Sequence, residues 1–123
     1  MTTEFKFLAT EEKGSVSAIL MRPKGATHLL VLGHGAGADM RSSSMQNIAE
    51  ALAEQRVATF RYNFPFKEYG RGGVDTPKVA TATVRSAVAE AKRLEPKLTL
   101  LAGGHSFGGR MTTTAQSESR LDD

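Results

Sequence analysis

LTLLAGGHSFGGRM, residues 98–111, is the stretch on which the reading of this chain turns. Leu98 to Ala102 is a short apolar run of the kind that forms a buried strand, and from Arg110 to about Ser119 the sequence suits a helix. Between them, Gly104-His105-Ser106-Phe107-Gly108 fits G-x-S-x-G. Such a pattern arises by chance in about one chain of this length in twenty, so its placement between strand and helix carries the weight. There the serine occupies a sharp, strained turn that lifts its hydroxyl out at the end of a sheet. Residues two before and two after must be tiny to avoid a clash, and Gly104 and Gly108 meet that demand.

Working outward, the rest of the chain alternates strands and helices. Leu29 to Leu32 is a continuous apolar run closed by glycine, as expected of a central strand covered on both faces. Ser42, Ser43 and Ser44 offer helix caps, and Met45, Ile48, Ala49 and Leu52 share one face of a helix reaching about Gln55. Val57 to Phe60 is a short buried strand, and the loop Arg61 to Thr76, with Gly70, Gly72 and Gly73, is expected to be irregular. Thr76-Pro77 caps a second helix whose stripe is Val84, Ala87, Val88, Ala91 and Leu94, ending before Pro96. Upstream, Thr3 to Leu8 and Ser15 to Met21 alternate polar and apolar residues across an acidic turn, as an antiparallel pair does. The order β-β-β-α-β-α-β-α predicts one α/β domain over 1–123: a three-layer α/β/α sandwich, with antiparallel first strands and then parallel strands joined by crossover helices.

Composition narrows the function classes. The 123 residues carry 16 Lys and Arg against 13 Asp and Glu, a net charge of +3 with no basic run, which argues against a nucleic-acid surface. No stretch approaches the roughly 20 apolar residues of a membrane span, and the N-terminus lacks a signal-like apolar core. The absence of cysteine removes disulfides and thiol chemistry and suits the cytoplasm. His28, His34 and His105 show no metal-ligand spacing, so neither metal nor cofactor is expected.

A second motif follows the first central strand. His34-Gly35-Ala36-Gly37-Ala38 resembles the HGGG-type loop that supplies one oxyanion-hole amide, the other coming from the residue after the nucleophile, here Phe107. The reading leaves open whether Gly35 or Ala36 donates. Through HGAGADM (34–40), RYNFP (61–65) and AGGHSFGGRM (102–111), the sequence from about Leu29 to Ser117 resembles the α/β-hydrolase superfamily. The likeness is to its small bacterial dienelactone-hydrolase-like members. That resemblance implies the N-terminal half of an α/β-hydrolase fold, with the strand at Leu98 beside that at Leu29 and Arg61 to Phe64 nearby. It also implies Ser106 as nucleophile toward the ester, thioester or related acyl bond of a small-molecule substrate, without a cofactor. Dienelactone hydrolase proper uses cysteine at this position, so its substrate does not carry over.

Such enzymes order their triad Ser, Asp or Glu, then His. No histidine follows Ser106, and Glu118, Asp122 and Asp123 stand too early to match the family's acid. The expectation is therefore a truncated hydrolase, impaired as it stands. Of the histidines present, His34 is expected to shape the oxyanion loop and is a conceivable substitute base, His105 is a rim residue beside the elbow, and His28 belongs at the opposite end of its strand. Arg61 and Arg110 are candidates for steering an anionic substrate. Two other readings remain open: a non-catalytic module of the same fold, and an NADP-binding Rossmann-like unit in which Gly33 to Ala38 is the G-x-G-x-x-G/A loop and Arg61 meets the 2′-phosphate. An open strand edge near Leu98 further predicts self-association.

Overall fold

A computed structural model describes residues 1–121. It contains a five-stranded mixed sheet in the order β1-β2-β4-β3-β5. Strands β1 (Thr2–Thr10) and β2 (Gly14–Met21) form the expected antiparallel hairpin, turning at residues 11–13. Strand β4 (Val57–Tyr62) pairs antiparallel with β2 and parallel with β3 (His28–Gly33). The last strand, β5 (Thr99–Gly104), lies parallel to β3 on its other side. The strand at Leu98 thus lies beside that at Leu29, as the sequence resemblance implied.

Alternation along β4 shows how the two faces are filled. Ala58, Phe60 and Tyr62 point into the main core with Phe7, Val16, Leu29 and Val31, while Thr59 and Arg61 point the other way. The first helix, α1 (Ser43–Glu54), covers that second face with Met45 and Ala49. The main face is covered by α3 (Pro77–Leu94) and α4 (Phe107–Glu118). Helix α3 buries Ala80, Val84, Ala87, Val88 and Ala91, and its alanines let it lie close against the sheet. Phe60 anchors the layer, meeting Phe5 and Phe7 edge-on, each at 5.6 Å between ring centroids.

Two local expectations change. The loop after β4 is not irregular throughout: Pro65–Glu68 forms one helical turn, α2, started by Pro65 at its first position. Glu68 ties this turn to the hairpin, accepting from the Ser17 N–H and hydroxyl and from Asn63 Nδ2. Burial works against its charge, but those donors hold its pKa below the ordinary carboxylate value. At the start of α1, Ser42 occupies the cap position without capping, because its Oγ accepts from the Asp39 N–H instead. Thr76 caps α3 as expected, its Oγ1 accepting from the Val79 N–H.

Strand β5 stands at the sheet edge, half covered, with Leu101 47% exposed. An apolar edge with unpaired backbone groups is a template for further pairing. The chain is therefore expected to self-associate with rising concentration, a shift that light scattering coupled to size exclusion would register. A monomer of constant mass from micromolar to millimolar concentration would contradict this.

Candidate active site at the carboxyl ends of the parallel strands

Register brings the two motifs together. Gly33 at the end of β3 pairs with Gly104 at the end of β5 on one side and Tyr62 at the end of β4 on the other. The loops leaving all three strands therefore start on one rim. His28 lies at the far end of β3, as its place in the sequence requires.

At the elbow Ser106 adopts φ 54° and ψ −113°, a left-handed conformation that a non-glycine residue holds only when its surroundings impose it. The surroundings are backbone packed on backbone. A β-carbon at Gly108 would sit 2.3 Å from the Gly33 carbonyl and 2.7 Å from the His34 oxygen. At Gly104 it would meet Gly108, Gly109 and Gly33 backbone atoms at 2.6 to 2.7 Å, and at Gly109 it would lie 2.8 Å from the Gly104 oxygen. Gly33 belongs to the same set, since a β-carbon there would lie 3.1 Å from the Gly108 Cα. Sequence reasoning named Gly104 and Gly108 but missed Gly33 and Gly109, and only Gly109 was signalled, by the doubled glycine at 108–109. The His105 N–H donates to the Gly33 oxygen at 3.0 Å, joining the elbow to the neighbouring loop.

Ser106 is exposed on this rim, its hydroxyl making no capping bond to α4. Phe107 begins α4, so its N–H has no partner within the helix and stands at the positive end of the helix dipole. Its ring packs downward, edge-on to Phe64 at 5.1 Å and Phe66 at 5.6 Å. Gly35 is brought against the elbow: a β-carbon there would lie 3.5 Å from Ser106 Cβ and 3.4 Å from His105 Nδ1. Ala36 and Gly37 are exposed beside it, with open space around Gly37.

The RYNFP stretch is the clamp on this loop. The Arg61 guanidinium donates to the Met40 carbonyl at 3.1 Å and to Gln46 Oε1 at 2.8 Å. Asn63 Oδ1 accepts from the Met40 N–H at 2.9 Å, and the Phe64 N–H donates to His34 Nε2 at 3.0 Å. Arg61 is 1% exposed, which corrects its reading as a substrate anchor: it faces α1 beneath the sheet and has no access to a ligand on the rim. The same burial removes it as a contact for a 2′-phosphate, and nine residues separate Gly33 from the start of α1, unlike a dinucleotide loop that opens straight into its helix. Arg110 does lie on the surface, 5.9 Å over the Phe107 ring.

His34 is also corrected as a substitute base. It is fully buried, with Nε2 occupied by the Phe64 N–H and Nδ1 hydrogen-bonded to the Gly35 carbonyl at 2.7 Å, so neither nitrogen is left for Ser106. Burial lowers its pKa, against the Gly35 hydrogen bond and the charge of Asp39. Glu118 is exposed at the last position of α4, about 18 Å along the helix from Ser106. Asp122 and Asp123 lie outside the described residues. Grooves of about 380 Å³ between β5 and α4 and about 260 Å³ beside Phe66 and Asp75 are lined without Ser106, which stands on the open rim.

Comparison with known proteins agrees with this geometry. Residues 26–122 match the family described as alpha/beta hydrolase domain. The fold is similar to that of a dienelactone hydrolase from Anabaena variabilis, at 20% identity and a TM-score of 0.78, over 95% of this chain and 58% of that one. It is similar as well to an alpha-beta serine hydrolase homologue from Coxiella burnetii, at 20% identity and 0.77, over 94% and 58%. A third likeness is to Est1E from Butyrivibrio proteoclasticus with ferulic acid bound, at 26% identity and 0.71, over 86% and 45%. The chain thus spans between 45% and 58% of the length of these proteins. No curated protein matches it.

Two outcomes follow from the geometry. Gly108→Ala is expected to cost about 3 kcal/mol or more in urea denaturation, because the atoms it meets are backbone. Gly37→Ala, with nothing within 4 Å, should stay within about 0.5 kcal/mol of the parent. Equal effects at the two positions would refute the close approach. The second outcome concerns pH: the unfolded chain takes up a proton at His34 near the ordinary imidazole value of about 6.5, while burial makes the folded chain resist it. Stability should therefore fall as pH drops below that value and level off under the depressed folded pKa. Comparing denaturation midpoints of the parent and His34→Asn between pH 7.5 and 5 isolates this contribution; parallel profiles would contradict it.

Proposed function

The chain belongs to the alpha/beta hydrolase family, and on that premise we propose that it carries the nucleophile and oxyanion half of a serine hydrolase site acting on an ester, thioester or related acyl bond. The observation that carries this reading is the exposed, strained Ser106 at the tip of its elbow, with Gly35 of the facing loop against it. In the reaction, Ser106 Oγ adds to the acyl carbon, and the oxygen that becomes anionic is held by the Phe107 N–H and one N–H of the facing loop. Collapse expels the alcohol or thiol, which takes up the proton that Ser106 Oγ gives up on attack, and water then hydrolyses the acyl-serine to the acid and free serine. Preorganised amides of this kind contribute roughly 3 kcal/mol each to the transition state.

The serine needs a base. His28 is at the wrong end of the sheet, His34 has both nitrogens engaged, and among the described residues Ser106 Oγ has no hydrogen-bond partner. Acylation by these residues alone is accordingly slow, resting on the oxyanion donors and on binding. A non-catalytic binding role is the reading that the unpartnered hydroxyl favours in second place.

A fluorophosphonate probe with mass-spectrometric mapping separates the two. Stoichiometric labelling of Ser106, lost in Ser106→Ala and accelerated by added imidazole acting as the absent base, is the expected result. A chain that stays unlabelled at saturating probe and imidazole would be a binding module instead.

A further inference from the structure

The groove of about 260 Å³ beside Phe66 lies between the turn of the hairpin, the glycine-rich loop after α2 and the first turn of α3. Asp75 lines it, only 9% exposed. Its Oδ2 accepts from the Phe66 N–H at 3.1 Å, while Oδ1 has no hydrogen-bond partner among the described residues. Burial pushes the Asp75 pKa up, and the Phe66 N–H and the charges of Lys13 and Arg71 do not make up for it. With the folded pKa above the unfolded one, the ionised carboxylate is the form that folding disfavours at neutral pH. Packing alone would favour a neutral side chain here. The one hydrogen bond Asp75 makes is open to an asparagine oxygen as well. What only the carboxylate supplies is a second, anionic acceptor.

The other walls are of two kinds. Val74, Val79 and the Phe66 ring are apolar, and Lys13, Arg71 and Lys78 bring positive charge. Lys13 is offset by Glu12 at 3.8 Å, but Arg71 and Lys78 have no ion-pair partner among the described residues. Lys78 also stands in the first turn of the 18-residue α3, at the positive end of its dipole. The groove thus joins a desolvated anionic acceptor, two unpaired cations and an apolar wall in a volume at the low end for a small-molecule site, which limits the ligand to a single ring. An ammonium aimed at Asp75 would meet the neighbouring cations, whereas a neutral hydroxyl would not. We infer that this groove binds a small hydroxyaryl carboxylate, its hydroxyl donating to Asp75 Oδ1 and its carboxylate accepting from Arg71 and Lys78. The site shares no residue with the elbow and does not depend on the chemistry of Ser106.

The probe is 4-hydroxybenzoate, titrated at neutral pH into the nitrogen-15-labelled full chain, with benzoate and 4-hydroxybenzamide as controls that lack the donor and the charge. Amide shifts should centre on Arg71 to Val79, with a Kd on the order of 1 mM, as suits a ligand of about ten non-hydrogen atoms. Each control should bind about tenfold more weakly, the scale of one charge-assisted hydrogen bond. Lys78→Ala removes an exposed side chain and should weaken 4-hydroxybenzoate several-fold without disturbing the fold. Asp75→Asn should lose the preference for 4-hydroxybenzoate over benzoate, with a thermal midpoint at or above that of the parent. A midpoint well below the parent would make the Asp75 carboxylate a structural group and overturn the proposal. So would equal binding of benzoate by the parent, the absence of saturable shifts, or shifts confined to residues 34–38 and 105–110. Should Asp75→Asn fail to fold, the proposal falls, since the fold would then need the charge.

Discussion

The first turn of α4 lies directly on the chain leaving β3, backbone against backbone, and everything at the rim follows from that contact. With Gly108 so placed that a β-carbon would come within 2.3 Å of the Gly33 carbonyl, the chain between β5 and α4 has only a few residues in which to reverse direction. Ser106 takes the strained conformation of that reversal, a cost of order 1–3 kcal/mol that the packing of Phe107, Met111 and Ala115 offsets. The same closeness sets the helix N-terminus beside the loop that begins at His34, so that amides from two distant segments share one rim. A larger side chain at position 33, 104, 108 or 109 would separate them.

The facing loop is irregular backbone, and its shape comes from side chains beneath it. Met40 has its N–H held by Asn63 and its carbonyl by Arg61, and the start of the loop is held by His34 against Phe64. Arg61, Asn63 and Phe64, on β4 and its extension, thereby fix both ends of a loop that begins on β3. Glu68 carries the restraint further, linking Asn63 to Ser17 in the hairpin. The hairpin and α2, remote from Ser106 in sequence, support the loop that Ser106 faces.

The elbow was legible in the sequence because its signal is local, glycines at 104 and 108 flanking a serine between an apolar run and a helix, although the Gly33 backbone those glycines pack against lies far away in the chain. The same holds for the stripe on α3, where Val84, Ala87, Val88 and Ala91 are buried as their spacing predicts. The burial of Arg61 and His34 was not legible because partners of both lie 15 to 30 residues away. A charged or titratable residue beside an active loop reads as chemistry until its neighbours are known, and here both are buried hydrogen-bond hubs. Helix α2 is a single turn, too short for periodicity to register, with only Pro65 to announce it. Strand β5 has the composition of a covered strand yet lies open on one side, a property of the sheet order rather than of its residues.

The central claim is that Ser106 stands between the Phe107 amide and an amide of the loop that begins at His34, and a crystal structure of the chain after reaction with a fluorophosphonate tests it most directly. The phosphonyl oxygen should sit about 2.7–3.1 Å from both nitrogens. An adduct at Ser106 whose phosphonyl oxygen points to solvent would contradict it.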